Sequence, residues 1–349
     1  GNDTIIGSGG NDTAIFSGNH ADYAISFNSS TNTYSILDLR DGSPDGLDTT
    51  VGVANFKFAD GTDPASAAVT PGATVGTNDG DYIHAPNGGG PGLPQGANYT
   101  HDLAIATNGN DVIYGLGGDD WIDSGAGNDT VYGGDGNDVI FTGPGSSSPD
   151  ATHSAHVYGG AGNDSLTSTN VADVLDGGTG TNFFTGVYDA NGNSQTTVSY
   201  ADATSGVTMT DSSGGYFNGY STDTWNSIGN FLGSAFNDTL VGDDHNNTLV
   251  GNDGNDVLNG SMGNDTLTGG TGADTFVFLH GDGVDTITDF AHGVDQISLT
   301  GEGVSDFTGL QADMSQVGTD TVITFDSNDI ITLKNVTMSS LTASDFVFH

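Results

Sequence analysis

The chain has 349 residues, with 45 acidic and 3 Lys or Arg side chains, for a formal net charge of −42. Three cations (Arg40, Lys57, Lys334) cannot build a phosphate-binding surface, which excludes nucleic acid as a partner, and zero cysteines exclude disulfide staples and thiol catalysis. No apolar run reaches the length of a transmembrane helix, while 34% hydrophobic residues and 17 Phe argue against a disordered acidic tail.

In chain order, residues 1–18 read as the end of a repeat block, with Gly1–Ile6 a partial unit and Gly7–Ile15 (GSGGNDTAI) a complete one. The beat already runs at Gly1, so the chain is expected to continue a longer protein on its N-terminal side. Residues 19–75 lose the beat and alternate as strands, in YAISF, TYSILDL and VANFKFADG, forming a β-rich insertion. The next block covers 76–186. It opens on a degenerate unit, Gly76–His84, and is interrupted by Gly/Pro-rich sequence at 85–105 and a Ser/His-rich loop at 142–156. A second β-rich insertion spans 187–232, a third block 233–299, and a closing segment 300–349.

The blocks share a nine-residue period. Gly115–Asp123, Ser124–Tyr132 and Gly133–Phe141 read GLGGDDWID, SGAGNDTVY and GGDGNDVIF, with Gly at position four, Asp at six and an apolar residue at eight. Five more units run without slippage from Gly233 to Val277. Glycine lets the backbone turn through positive φ, and the three residues after Asp form a short strand whose middle side chain points inward. Two nonamers then make one coil, so Asp111 stacks on Asp129 along one edge and Asp120 on Asp138 along the other. Coils about 4.8 Å apart bring stacked carboxylates into a repulsion of roughly 3 kcal/mol at an effective dielectric of 20. A hard divalent cation taking six to eight oxygens removes that repulsion, and Ca²⁺ fits.

Fixed-period self-similarity of this kind resembles the RTX (repeats-in-toxin) nonapeptide family. The resemblance implies an all-β fold: right-handed parallel β-roll blocks, a calcium-binding β-solenoid with β-rich insertions and a C-terminal β cap. It implies several Ca²⁺ ions held by the position-six aspartates Asp3, Asp12, Asp81, Asp111, Asp120, Asp129, Asp138, Asp164, Asp173, Asp238, Asp256, Asp265 and Asp274, together with Asp285. The position-four glycines Gly118, Gly127, Gly136, Gly162, Gly254, Gly263 and Gly272 join them. Asn182 and Asn247 replace the Asp, so calcium is expected to be weaker or absent at those steps. The closing segment, ending Asp345-Phe346-Val347-Phe348, resembles the terminus of bacterial type I-secreted proteins and also suits a cap on the open solenoid edge.

No catalytic constellation emerges, so the chain itself is read as a non-enzyme. Carboxylate pairs carry no glycosidase signal where Asp is everywhere, and neither lysine sits in a phosphate loop. The single Glu, Glu302, leaves no EF-hand, whose loop closes on a bidentate Glu. His153 and His156 form an HxxH that suits a solvated loop better than a metal site. Trp121, at position seven, is expected to face outward, and Tyr216, Phe217, Tyr220 and Trp225 to pack the second insertion. Two function classes remain. One is a secreted or cell-surface structural component, such as a surface-layer, matrix or adhesin protein that self-associates in calcium. The other is the calcium-binding export region of an exoenzyme whose catalytic domain lies upstream.

Overall fold

A computed structural model describes residues 2–8, 11–28, 32–40, 45–65, 73–75, 81–83, 101–103, 109–143, 154–169, 172–188, 196–209, 216–217 and 223–349. Most of the 85–105 and 142–156 loops lies outside these residues, as do His153 and Tyr220.

The repeats fold as short parallel strands that stack coil upon coil. One face is a single 13-stranded sheet, and the opposite face is two 7-stranded sheets. The register follows the beat. Val112–Gly117 pairs with Thr130–Asp135, and that strand with His156–Ala161, each in parallel. On the other face Trp121–Asp123 pairs with Val139–Thr142 and that strand with Ser165–Ser168. The apolar position-eight side chains line the interior: Ile113, Ile122, Val131, Ile140, Leu249 and Leu258 are all fully buried. Each buried Ile, Leu or Val side chain contributes about 1.5–3 kcal/mol relative to exposure.

Outside the sheet, position nine builds a second column. Tyr114, Tyr132 and Tyr158 stack nearly parallel, with ring centroids 5.0 Å apart at each step. That spacing is the coil repeat itself.

The stack does not break where the beat does. Within 187–232, Thr197–Ser199 pairs with the strand Val174–Asp176 before it and with Asn230–Leu232 after it, so the 13-stranded sheet runs through. The opposite face does divide here: Thr224–Asn226 ends one 7-stranded sheet, and Val207–Thr208 pairs with Thr239–Val241 in the next. Trp225 fills an inward position and packs on Phe231, with ring centroids 5.1 Å apart.

Trp121 departs from the expectation. It is 2% exposed, tilted against Phe141 at 5.2 Å, and its neighbours Asp123 and Ser124 are also buried. The outer surface of this coil is itself packed over, which period counting within one strand cannot register.

Residues 2–65 hold a separate core around Phe16, Tyr23, Ile25, Ile36, Phe56 and Phe58. Here Arg40 grips Asp38 with Nε to Oδ1 and Nη2 to Oδ2, both at 2.8 Å, and holds that carboxyl down at about 2. At the far end, the antiparallel strands Met314–Val317, Asp320–Asp326 and Asp329–Leu333 close the long sheet. Phe346–Phe348 adds in parallel to Gln296–Thr300, and Asp345 anchors the turn by accepting the Gly293 amide and His292 Nδ1, each at 2.9 Å. Among the described residues no helix is long and apolar enough to cross a membrane.

Candidate metal centre: two carboxylate ladders

Each turn of the roll ends on a position-six carboxylate, and the next coil's carboxylate reaches back to it. The Asp111 amide donates to Asp129 Oδ1 at 3.0 Å. On the other edge, the amides of Asp120 and Asp138 donate to Oδ1 of Asp138 and Asp164, both at 2.8 Å. The third block repeats the arrangement. Asp238 donates to Asp256 (2.8 Å), Asp256 to Asp274 (2.9 Å) and Asp265 to Asp285 (2.9 Å). A buried amide is satisfied at every step, and one oxygen of each acceptor is fixed.

The second oxygen is the informative one. Oδ2 of Asp138, Asp164, Asp256, Asp265 and Asp274 is buried and accepts no hydrogen bond. Position-one glycine lies directly against it. A methyl added to Gly133 would run into Asp138 Oδ2 and the Gly159 carbonyl oxygen, and one added to Gly251 into Asp256 Oδ2 and the Gly269 carbonyl. The position-four carbonyls stack as well. Those of Gly118, Gly136, Gly254 and Gly263 face the Cα of Gly136, Gly162, Gly272 and Gly283 one coil on. Gly136 and Gly272 hold φ of 149° and 144°, a region closed to side chains. Anionic and carbonyl oxygens thus converge at these turns, with no donor to the Oδ2 atoms just named.

Electrostatics follow. Burial pushes the Asp265 carboxyl up to about 8, and the charges of Asp285 and Asp282 add to it. Burial likewise raises Asp138, Asp256 and Asp285 to about 7, and Asp129 and Asp164 to about 6. Buried carboxylates left unanswered are costly. Arg40 and Lys334 pair instead with Asp38 and Asp320, outside the ladders.

The remaining candidate residues differ. Asp173 Oδ1 accepts the Ala155 amide at 2.7 Å, but its Oδ2 is already taken by the Thr142 and Ser168 hydroxyls. Asp238 is similarly answered: Ser234 donates its amide to Oδ2 at 2.6 Å and its hydroxyl to Oδ1 at 2.7 Å. At the Asn182 step Oδ1 keeps its place by accepting the Asp164 amide at 2.9 Å, while Nδ2 is buried without an acceptor. At Asn247 the Nδ2 group donates to Asp243 at 3.0 Å. Asp12 Oδ2 is buried and unanswered. Asp3 is exposed, and its amide donates to Asp48 Oδ1 at 2.8 Å. Backbone register places Asp81 level with Asp120, one coil away.

Three ladder members were missed by period counting: Asp48, Asp223 and Asp295. Asp223 Oδ1 accepts the Asn182 amide at 2.6 Å from 41 residues on, and Asp295 Oδ1 the Asp274 amide at 3.0 Å from 21 residues on. Asp223 and Asp295 carried a signal in the local Asp-x-apolar triplet (Asp223-Thr-Trp225, Asp295-Gln-Ile297), independent of the nine-residue count, whereas Asp48-Thr-Thr50 carried none.

Stacked parallel coils, an interior apolar column and paired edge ladders of carboxylate and carbonyl oxygen define a parallel β-roll with cation-binding turns. The repeat segments match the family model of the RTX calcium-binding nonapeptide repeat (4 copies) at residues 1–19, 97–131, 118–148, 158–186, 230–258 and 241–276, so these segments are RTX nonapeptide repeats. Among solved structures it is similar to the AlgE6R3 subunit of the Azotobacter vinelandii mannuronan C5-epimerase, at 28% identity over 34% of this chain and 76% of that one, with a TM-score of 0.29. It is also similar to the extracellular lipase LipA from Serratia marcescens, at 20% identity over 72% of this chain and a TM-score of 0.27, where it spans 40% of the lipase. No curated protein matches the chain.

Proposed function

We propose that this chain is a calcium-assembled scaffold of an extracellular protein, in which the ladder carboxylates hold Ca²⁺ between coils and the ion supplies the positive charge the sequence lacks. The observation that carries this reading is the row of buried Oδ2 atoms without a donor, of which those of Asp138, Asp164 and Asp256 share the space over a position-one glycine with a backbone carbonyl. All-oxygen anionic surroundings match a hard cation with many oxygen ligands. The ligands are Asp111, Asp120, Asp129, Asp138, Asp164, Asp256, Asp265, Asp274 and Asp285, with the position-four carbonyls. Asp173 and Asp238 serve as hydrogen-bonded ends of their ladders, and the Asn182 amide nitrogen repels a cation.

The parent protein is then a surface-layer, matrix or adhesin component, exported through a type I machinery and folded on meeting external calcium. In support, the long sheet persists through both the second and third blocks and the insertion between them, more scaffold than an export tag requires. Calcium that binds only the native state couples folding to location. Sedimentation of the purified chain in chelator and in millimolar calcium tests the proposal. An expanded monomer that compacts and then grows into sheets or filaments supports it. Compaction without growth removes self-assembly and favours the export region of an exoenzyme.

A further inference from the structure

Away from both ladders, three donor side chains meet at the junction between the last roll coil and the C-terminal cap. His280 follows the strand Thr275–Leu279, and Glu302 sits in the turn after the neighbouring strand Gln296–Thr300. Asp329 opens Asp329–Leu333 on the opposite sheet. His280 Nδ1 lies 3.1 Å from Asp329 Oδ2 and 3.5 Å from Glu302 Oε2, and the three donor atoms are all within 4.8 Å of one another.

Glu302 makes this more than an acidic cluster. It is the only Glu of the chain. Its side chain is 1% exposed, and its carboxylate oxygens meet no closer donor than His280 Nδ1 at 3.5 Å. Gly301 and Gly303 flank it at φ of 82° and 74°. These left-handed turns, open to glycine at little cost, fold the chain so that Glu302 points back into the junction. Asp329 Oδ2 is held in place by the Gly281 amide at 2.8 Å. His280 is 61% exposed, leaving the remaining side of the group open to solvent.

We infer that His280, Glu302 and Asp329 form a second metal site, selective for a borderline divalent cation such as Zn²⁺ rather than for Ca²⁺. One imidazole nitrogen and two carboxylates, with an open fourth position, are a donor set zinc accepts. Calcium wants six to eight oxygens. Zinc bonds of 2.0–2.1 Å place tetrahedral ligand atoms about 3.3 Å apart, between the two separations measured here. The ion ties together both sheets of the solenoid and the cap, in a chain with no disulfide to do so.

The test is calorimetric titration of the calcium-saturated full chain with Zn²⁺, with Co²⁺ absorption reporting ligand type. One zinc site is expected, with bound calcium retained. His280→Ala and Glu302→Gln should each weaken zinc binding by roughly tenfold or more, while calcium-dependent folding by circular dichroism stays unchanged. The His153→Ala/His156→Ala variant should bind zinc as the parent does. The inference is overturned by any of three results: no zinc uptake, zinc uptake that displaces ladder calcium, or equal uptake by Glu302→Gln and the parent. Loss confined to the His153/His156 variant would overturn it as well.

Discussion

The backbone amide of Asp256 donates to Oδ1 of Asp274, 18 residues further on, at 2.9 Å, while Oδ2 of the same Asp274 is buried without a donor. One carboxylate therefore has two jobs, one oxygen holding the coil spacing and the other facing the cation. The two jobs can be separated by substitution.

Asp256→Asn keeps an oxygen for the Asp238 amide and replaces the unanswered oxygen with an amide group. It should lose calcium at the adjoining steps while keeping the coil register. Asp256→Ala removes both roles and should cost a further ~1–3 kcal/mol from the orphaned amide. Calcium titration followed by urea unfolding distinguishes them. Equal calcium affinity in Asp256→Asn and the parent would remove this residue from the ligand set.

Asp173→Asn should leave calcium stoichiometry unchanged, because Thr142 and Ser168 already occupy its second oxygen. Stoichiometry by calorimetry or equilibrium dialysis checks it, and the loss of a bound ion would contradict the assignment.

Without calcium, stability should fall as pH rises. The ladder carboxyls are raised in the folded chain, Asp164 to about 6 and Asp265 to about 8, against an unfolded value of 3.8. The folded chain thus binds more protons than the unfolded one across that window, and its stability declines from about pH 4 to about pH 8. Calcium reverses the trend, since binding expels those protons and its affinity grows over the same range. Circular dichroism of the metal-free protein from mildly acidic to mildly alkaline pH tests the sign, with β structure expected to decline as pH rises and a gain of β structure contradicting it.

Gly133→Ala should destabilise the second block by about 1–3 kcal/mol, because the methyl meets Asp138 Oδ2 and a carbonyl of the next coil. Gly61→Ala, with nothing within 4 Å of the added atom, should be near neutral. Urea unfolding in saturating calcium compares the two.

The nine-residue beat made the coil, the inward column and the 18-residue ladder legible in advance, because each depends only on local period. What it could not show depends on contacts between distant segments. Asp223 and Asp295 enter the ladders across 41 and 21 residues, gaps that are not multiples of nine, and Asp48 joins Asp3 from a segment that has lost the beat. Trp121 is buried by packing over its outer face, and His280, Glu302 and Asp329 converge from three separate turns. The hydroxyls that satisfy Asp173 are likewise invisible to a position-six rule, since Thr142 lies 31 residues away.

The central claim is that calcium and this fold form together. The most direct measurement is far-ultraviolet circular dichroism with hydrodynamic radius on the metal-free chain during calcium titration. An expanded, largely unstructured chain is expected to convert cooperatively to a compact β spectrum, and to revert on chelation. A compact β spectrum that persists unchanged in chelator at neutral pH would contradict it.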